Sequence, residues 1–574
     1  MKYASLFYFL VAFLVIGACK KTVVSNKDKV PYPIQRVSEA KNAMVVSAHP
    51  LASDIGVYIM KQGGNAVDAA IAVQFALAVV YPRAGNIGGG GFMVIRVQDG
   101  KAFALDYREM APAAAYRDMY LDSLSNVIDG LSVLGHLASG VPGTVHGMYS
   151  AWEKLGAVDK FSTLLEPAIK LANEGFHINA SEAGRLNQYQ DDFRKFHNTN
   201  SPFVKENWKS NDLIQQEDLA KTLTRIAQAE NADGFYTGKT AELFVEEMDR
   251  GNGIITLEDL KNYQSKWRIP QIGYYKNDKI ISMPPPSSGG IALIQLLEII
   301  EQYNVDTMGF QSLDYIHLVA EACRRVYADR AEFLGDEDFI DVPAERLLDS
   351  IYLRERMNDF QKYHATKSSS VGSGDIDIKL ESFETTHTSV VDSDGMAVSV
   401  TTTLNLNYGS KVLVNGAGFF LNNEMDDFSA KPGVANFFGL IGNEANAIAP
   451  QKRMLSSMTP TIIEQDGKAK LVLGTPGGST IITSVFQVIM NVLEFDMTLD
   501  EAVYAPRFHH QWLPDKIMTE KDMWNKALTD SLQNRGHELG SYDRIGLVKA
   551  IEITTDGKLI GVGDHRSDDH ASGY

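Results

Sequence analysis

The spacing of hydrophobic and polar positions predicts helices over much of the chain. Residues 63–81, GGNAVDAAIAVQFALAVVY, are apolar on nearly every face of a helix, so this helix is predicted to be buried. Asp68 and Gln74 within it argue against a membrane span. Periodicity from roughly residue 150 to residue 365 favours further helices, and the run STIITSVFQVIMNVLEF predicts one more apolar helix.

Strand-like runs joined by Asp-Gly pairs predict antiparallel hairpins. An Asp-Gly pair between two apolar runs is a strong signal for a tight turn. Such pairs occur at residues 99–100, 394–395, 466–467 and 556–557. Several hairpins with apolar helices among them indicate an α+β fold in which stacked sheets are covered by helices.

Composition limits the possible functions. The chain has 574 residues, of which 44% are hydrophobic, and a formal net charge of -18. It is long enough for a large core, and the usual expectation for this length is more than one domain. It lacks the basic stripe that phosphate binding needs, so no nucleic-acid partner is expected.

The N-terminus is typical of a bacterial lipoprotein precursor. A basic start, an unbroken apolar run and small residues precede Cys19. We expect residues 1–18 to be a signal peptide, Cys19 to be lipidated, and residues 19–40 to be a tether, so that the protein is exported and faces the periplasm or the cell surface. A single transmembrane helix is the alternative, although the run is short for a span of roughly 20 residues. The other cysteine, Cys323, lies in a helical pattern and is predicted to be a core residue.

The signatures of the usual cofactor and metal enzymes are missing. There is no Walker loop, no G-x-S-x-G elbow and no H-E-x-x-H pair, and GNIGGGG at residues 85–91 lacks dinucleotide-binding spacing. Those glycines are predicted to allow a close backbone approach instead. The run DHRSDDH at residues 564–570 has metal-type side chains but is expected to be a solvated tail. We therefore expect neither a metal nor a cofactor.

The stretch ESFETTHTSVV, residues 381–391, joins a Ser- and Gly-rich segment to a strand that begins at Thr385. A threonine hydroxyl is a poor nucleophile that needs a base. A cut between Glu384 and Thr385 would supply one, because the new α-amino group has a pKa of about 7.7 to 8.0. On the pattern alone, a threonine-rich strand start without a catalytic role is an equal alternative.

Sequence blocks along nearly the whole chain carry a family resemblance. They are TTHTSVVDSDGMAVSVTTTLN and, in chain order, GGNAVDAAIA, GNIGGGGFMVIR, LDYREMAP, GVPGTVHGM, PPPSSGG, NNEMDDFSAKPG, KRMLSSMTPTI, GTPGGS and APRFHHQ. All are similar to blocks of the γ-glutamyltranspeptidases, and the first resembles the processing site of this family, whose members are heterodimers of the N-terminal nucleophile hydrolase superfamily made by self-cleavage of one precursor. The resemblance implies a four-layer αββα sandwich, with a largely helical region in a large subunit of residues 41–384, and a small subunit of residues 385–574.

The resemblance also implies catalytic residues. Thr385 matches the nucleophile, and Thr403 matches the threonine that hydrogen-bonds the nucleophile and supports processing. Gly477 and Gly478 match the oxyanion hole, whose backbone N–H groups would face the developing charge.

Substrate-binding residues are implied as well. The guanidinium fork of an arginine suits a carboxylate, whereas an ammonium group needs acceptors and negative charge. Residues 432–443 match a lid loop, in which Phe438 keeps an aromatic ring but lacks the hydroxyl of the tyrosine that bacterial members often carry. The positions that match α-carboxylate ligands are Arg108, Ser456 and Ser457, and those that match α-amino ligands are Asn405, Glu424, where the family also uses glutamine, and Asp427.

Together these matches imply an exported γ-glutamyltransferase and hydrolase. Thr385 would attack the γ-carbonyl of glutathione or a related γ-glutamyl compound, and the resulting ester would pass to water or to an amino-acid or peptide acceptor. The alternatives are a related acylase or poly-γ-glutamate depolymerase and, from another class, an inactive lipoprotein that binds amino acids or peptides. Glu424 and Asp427 favour the γ-glutamyl interpretation, since a glutaryl group has no α-amine.

Overall fold

The computed structural model describes residues 31–197, 200–371, 385–434, 436–437 and 439–574. The predicted signal peptide, Cys19, Glu384 and Phe438 lie outside these residues. Within the described ranges, no helix combines the length and the apolar character needed to cross a bilayer.

The strands form two large sheets and two small ones in the described chain. Every pairing in the two large sheets is antiparallel. The strands are β1 (Val37–Ala40), β2 (Met44–Ser47), β3 (Gly90–Arg96), β4 (Ala102–Tyr107), β5 (Phe176–His177), β6 (Leu213–Ile214), β7 (Lys266–Arg268), β8 (Gln271–Tyr275), β9 (Asp278–Ser282), β10 (Thr386–Val391), β11 (Ala397–Thr403), β12 (Thr461–Gln465), β13 (Lys468–Gly474), β14 (Phe508–His509), β15 (Lys516–Glu520), β16 (Glu538–Tyr542), β17 (Lys549–Ile553), β18 (Leu559–Gly563) and β19 (His570–Gly573).

Helices occupy about half of the chain between β4 and β10, and helices cover both large sheets. The helices are α1 (Pro50–Lys61), α2 (Ala66–Val80), α3 (Thr144–Leu155), α4 (Ser162–Glu174), α5 (Ala180–Gln188), α6 (Gln190–Phe196), α7 (Glu217–Ala229), α8 (Asp233–Tyr236), α9 (Gly238–Arg250), α10 (Leu257–Asn262), α11 (Gly289–Glu301), α12 (Val305–Met308), α13 (Leu313–Phe333), α14 (Ala344–Leu347), α15 (Ser350–Arg356), α16 (Ser368–Val371), α17 (Thr480–Leu493), α18 (Leu499–Tyr504) and α19 (Lys526–Asn534).

The two large sheets lie face to face at the centre of the molecule. Sheet A has the strand order β1-β18-β17-β13-β12-β9-β8, and sheet B has the order β19-β2-β10-β11-β3-β4-β7. β10 and β11 of sheet B contact β13 of sheet A, while α1 and α2 cover sheet B and α11 and α17 cover sheet A. The predicted αββα sandwich is therefore confirmed.

The local signals in the sequence identify the main elements correctly. The four Asp-Gly pairs form the turns of the β3–β4, β10–β11, β12–β13 and β17–β18 hairpins. Every residue of α2 is buried, as its uniformly apolar pattern predicts. Cys323 is buried on α13 with its thiol free.

The expectation of a solvated tail at residues 564–570 is wrong. Asp564 is fully buried and pairs with Arg507 at 2.9 Å, and Asp569 is fully buried and pairs with Lys549 at 3.0 Å. Each carboxylate is compensated by a buried cation, so the run forms a structural connection between β18 and β19 rather than a metal site.

Two further features of the fold differ from the pattern-based expectation. Val37–Ala40, the end of the predicted tether, form β1 and pair with β18, so ordered structure begins before residue 40. The largely helical middle contains β7, β8 and β9, which extend one edge of each large sheet. Among the described strands, β8 pairs only with the neighbouring β9, but β7 pairs with β4 and β9 pairs with β12, and local periodicity does not register such distant partners.

Candidate active site

Thr385 lies at the end of sheet B where β10 begins. The antiparallel register pairs Thr386 with Thr402, and continuing it by one residue places Thr385 opposite Thr403. The Oγ1 of Thr403 accepts a hydrogen bond from the Asn405 N–H at 2.7 Å. The two threonines singled out in the sequence are therefore neighbours across one ladder.

Glycines of the GNIGGGG segment bring the chain very close to Thr403. A Cβ on Gly89 would lie 2.1 Å from the carbonyl oxygen of Thr403, and a Cβ on Gly90 would lie 2.4 Å from that of Tyr107. Asn86 Nδ2 donates to the same Thr403 oxygen at 2.8 Å. The predicted close backbone approach is confirmed, and it fixes β3 beside the end of β11.

Alternate side chains along β10 form a polar row between the two sheets. His387 Nδ1 is 2.8 Å from Thr401 Oγ1, and His387 Nε2 is 3.1 Å from Ser389 Oγ. Ser389 Oγ donates to the carbonyl oxygen of Lys549 in sheet A. Burial, and then the charge of Lys549, hold the pKa of His387 well below its ordinary value, so the ring is neutral. His387 stabilises the strand that carries Thr385.

The loop between β13 and α17 contains the predicted oxyanion-hole glycines. Gly477 has a φ of 147° and Gly478 a φ of 53°, in the region that favours glycine. The carbonyl oxygen of Gly477 accepts hydrogen bonds from the N–H and the Oγ1 of Thr480, at 3.0 and 2.8 Å, where α17 begins. The loop therefore ends at the positive end of a helix, which suits a developing negative charge.

Arg108, directly after β4, is fully buried among three carboxylates. Its Nη1 lies 2.6 Å from Glu424 Oε2 and 3.5 Å from Glu109 Oε2, and its Nη2 donates to Asp427 Oδ2 at 2.5 Å. The Glu424 contact is an ion pair without hydrogen-bond alignment. Arg108 Nε donates to the carbonyl oxygen of Met454 at 3.3 Å. The arginine is thus already neutralised in this structure.

The carboxylates around Arg108 outnumber it. Burial raises the pKa of Glu109 to about 7, and it also raises the pKa of Glu424 and of Asp427, with Arg108 opposing the shift in each case. Burial disfavours the charge of Arg108, but the neighbouring acids raise its pKa above the ordinary value. This surplus of acceptors is suited to one further cation.

The serine pair lies on a segment held by the PPPSSGG loop. The Ser456 N–H donates to the carbonyl oxygen of Pro286 at 2.9 Å. The N–H and the Oγ of Ser288 donate to the carbonyl oxygen of Ser456 at 2.8 and 2.7 Å. Ser457 is 7% exposed and accepts a hydrogen bond from Arg330 Nη2 at 3.2 Å.

One cavity brings most of the predicted residues together. Gly477 is not among its lining residues but precedes Gly478, which is. From the predicted lid loop, Leu440 lines the cavity and Asn436 Nδ2 donates to Asp427 Oδ1 at 3.3 Å. The lining residues are Arg108, Arg330, Thr385, Thr403, Asn405, Glu424, Asp427, Leu440, Leu455, Ser456, Ser457, Met458, Gly478 and Ile481.

Sequence reasoning missed two charged groups of this site, Glu109 and Arg330. Glu109 is next to Arg108 in the block LDYREMAP, but no motif assigns it a role. Arg330 lies on α13, whose sequence EACRRVYADRAEF carries several charges on a helix with a core pattern. Charged residues at buried helical positions were the available signal, because such residues are rarely buried without a partner.

The described residues contain one group with metal-ligand spacing, away from this cavity. His317, Glu321 and His537 can each bring one ligand atom within 4.8 Å of the others. Arg324 and Arg325 both pair with Glu321. Two guanidinium groups on the only carboxylate make this cluster unsuited to a metal cation.

Comparison with known proteins gives the same family as the motifs that form this site. Residues 52–574 match the family model described as Gamma-glutamyltranspeptidase. The chain belongs to the γ-glutamyltranspeptidase family. It is 46% identical over 577 residues to the glutathione hydrolase proenzyme of Escherichia coli (strain K12), with 98% of each chain covered.

Solved structures show the same family and fold. The γ-glutamyltranspeptidase of Helicobacter pylori is 44% identical, with a TM-score of 0.55 over 60% of this chain and 97% of that chain. The cephalosporin acylase from Bacillus halodurans is 24% identical, with a TM-score of 0.80 over 96% of this chain and 99% of that chain, which shows a shared fold. In the present chain, the cavity is lined by residues from both sides of position 384.

Proposed function

We propose that this chain is an autocatalytically processed γ-glutamyltransferase and glutathione hydrolase. The observation that carries the proposal is a single cavity lined by Thr385, by Gly478 and by buried groups of both charges. Membership of the γ-glutamyltranspeptidase family and similarity to a glutathione hydrolase proenzyme support the same activity.

The chemistry begins with cleavage between Glu384 and Thr385. The freed α-amine of Thr385 accepts the hydroxyl proton while Oγ1 attacks the γ-carbonyl carbon of the substrate. Backbone N–H groups at Gly477 and Gly478 stabilise the oxyanion, and Thr403 positions the nucleophile. The C–N bond then breaks, the proton passes to the leaving amine, and a γ-glutamyl ester remains on Thr385. Water or an acceptor amine attacks this ester and restores the hydroxyl.

The polarity of the cavity supports a zwitterionic γ-glutamyl group. Glu424 and Asp427, with Asn405, offer acceptors to the substrate ammonium, and their surplus over Arg108 leaves negative charge for it. Ser456 and Ser457, with Arg108, offer donors to the α-carboxylate. An acylase acting on glutaryl groups would gain nothing from the acidic side.

Maturation and location follow from the sequence. We infer a large subunit of residues 41–384 and a small subunit of residues 385–574 that remain together as a heterodimer. We also infer export and a lipid anchor at Cys19. The enzyme would then act outside the cytoplasm on glutathione and other γ-glutamyl compounds, with amino acids or peptides as acceptors.

The test measures release of p-nitroaniline from γ-glutamyl-p-nitroanilide and cleavage of glutathione, with and without glycylglycine. We expect turnover of both, stimulation by glycylglycine, and no turnover by Thr385→Ala. Glutaryl-p-nitroanilide, which lacks the α-amine, should be a poor substrate. Preference for the glutaryl compound would instead indicate an acylase, and no turnover of either anilide by correctly processed protein would indicate a binding protein.

A further inference from the structure

The α-carboxylate side of the cavity contains a second guanidinium group. Arg330 projects from α13 into the cavity that Thr385 lines and is 5% exposed. Its Nη2 donates to Ser457 Oγ at 3.2 Å, and its Nε donates to Ser288 Oγ at 3.0 Å. It therefore binds directly to one member of the serine pair.

Arg330 differs from Arg108 in having no acidic partner. Both guanidinium groups are buried, but Arg108 contacts Glu424 and Asp427 at 2.6 and 2.5 Å. Among the described residues, no carboxylate oxygen lies within 4.0 Å of Arg330. Burial lowers the pKa of Arg330 to about 10, and the charge interactions with Tyr327 and then Asp427 only partly oppose this. It remains charged at neutral pH.

A buried cation without an anion is costly unless a ligand completes its interactions. Two hydroxyl groups satisfy two of the donors of Arg330, whereas its Nη1 makes no hydrogen bond with the described residues. An anion beside Ser457 would supply both the charge and the acceptor. Because Arg108 already contacts Glu424 and Asp427, it is less able to bind a substrate carboxylate without a second cation.

The cavity then has two poles of opposite charge. The acidic pole is formed by Glu424 and Asp427, which contact Arg108, and the cationic pole is Arg330, which contacts Ser457. An amino acid with its ammonium at the acidic pole directs its α-carboxylate to the cationic pole. A substrate with an amine but no α-carboxylate would leave Arg330 without its anion.

We infer that Arg330 is a second cationic ligand of the substrate α-carboxylate, acting with Ser457, and that it makes the enzyme selective for γ-glutamyl over decarboxylated donors. The inference rests on the proposed function, because it assigns a role within the same cavity. The two arginines then have different roles. Arg108 contacts both the acidic side chains and the substrate carboxylate, whereas Arg330 supplies a positive charge that no acidic side chain of the described residues pairs.

The experiment combines a change in the residue with a change in the substrate. The kcat/KM of wild type, Arg330→Met and Arg330→Lys is measured for γ-glutamyl-p-nitroanilide and for 4-aminobutyryl-p-nitroanilide, which lacks only the α-carboxylate. High enzyme concentrations and single-turnover conditions give a rate even for the slower donor. Charge-assisted hydrogen bonds predict a loss of about 10- to 100-fold for Arg330→Met on the γ-glutamyl donor. The loss on the 4-aminobutyryl donor should be less than about threefold, and Arg330→Lys should fall between wild type and Arg330→Met.

Arg325→Lys is the matched control. Arg325 lies on the same helix and is also buried, but its guanidinium binds Glu321 and Asp359 instead of lining the cavity. The ratio of the two kcat/KM values should stay at the wild-type value in this variant. If Arg330→Met does not fold or does not yield two chains, the ratio measured for Arg330→Lys decides.

The outcomes separate the two proposals. An equal loss on both donors in a processed Arg330 variant would show a merely structural role and overturn the inference, while the proposed function would stand. Failure of wild type to release p-nitroaniline from the γ-glutamyl donor would overturn the proposed function itself. A selective loss on the γ-glutamyl donor supports both.

Discussion

Replacing Arg108 by methionine tests the charge balance of the site. The side chain keeps much of its volume but loses the only guanidinium within hydrogen-bonding distance of Asp427 and ion-pair distance of Glu424 among the described residues. Glu424, which is fully buried, and Asp427, whose side chain is 13% exposed, are then left in a cluster with the buried Glu109. We expect Arg108→Met to lower both stability and substrate affinity.

The magnitude follows from burial. Removing one partner of a buried ion pair costs about 3 to 5 kcal/mol of unfolding free energy, because the remaining charge stays uncompensated. Loss of the cation raises the pKa of Glu109, Glu424 and Asp427 further, since Arg108 opposes that rise in the wild type. An acid whose folded-state pKa is raised contributes stability at low pH that is lost as the pH increases. The deficit of Arg108→Met should therefore be small near pH 4 and grow towards about pH 8.

The second variant separates stability from binding. Adding Glu424→Gln to Arg108→Met removes one uncompensated carboxylate, so stability should recover in part. The KM for γ-glutamyl-p-nitroanilide should stay high, by the equivalent of about 2 to 5 kcal/mol, because the α-carboxylate contact is still missing.

Thermal unfolding is best followed between pH 4 and about pH 8 in the Thr385→Ala background, which we expect to remain one chain, and KM in the processed enzyme. Equal stability of Arg108→Met and the parent at pH 8 would refute the buried charge cluster. A double variant no more stable than Arg108→Met would show that Glu424 is not a charged partner.

Three further predictions concern the nucleophile and its surroundings. Thr385→Ala should run as a single chain on denaturing gels, whereas the parent yields a small subunit of 574 − 384 = 190 residues that begins at Thr385; a correctly cut alanine variant would contradict self-cleavage by the hydroxyl. His387→Gln should process and retain most of kcat, with the acidic limb of its pH profile intact, because the neutral ring is buried away from the cavity; a loss of several orders of magnitude would transfer the base role to it. Gly477→Ala should lower kcat more than it raises KM, because a Cβ there meets Thr480 Oγ1 at 2.6 Å at a φ of 147°; unchanged kcat would exclude this loop from oxyanion stabilisation.

The sequence predicts the elements of the fold that depend on neighbouring residues. The Asp-Gly turns and the uniformly apolar α2 are local signals, and both appear in the structure as predicted. β1 depends instead on β18, near the opposite end of the chain, and β7 depends on β4. Short strands of this kind carry little pattern of their own, so periodicity could not locate them.

The sequence likewise predicts only part of the site. Motif resemblance assigns Arg108 to the α-carboxylate and Glu424 and Asp427 to the α-amino group of one substrate, and the structure places all three in one cavity. The structure shows these side chains bound to one another, an interaction between residues more than three hundred positions apart that no motif encodes. The sequence does not indicate a role for Arg330, because the helix that carries it has the pattern of an ordinary core helix.

The strand order of sheet B explains how a cut beside the nucleophile can leave the site intact. β10 and β11 lie between β2 and β3, so the strands that carry Thr385 and Thr403 are held on both sides by strands from before position 384. These backbone hydrogen bonds do not depend on the peptide bond between Glu384 and Thr385. The Ser456 segment is likewise bonded to the loop at Pro286. The proposed cut would therefore change an amide nitrogen into an amine while the ladder keeps the hydroxyl in place, so the precursor already contains the geometry that the mature enzyme uses.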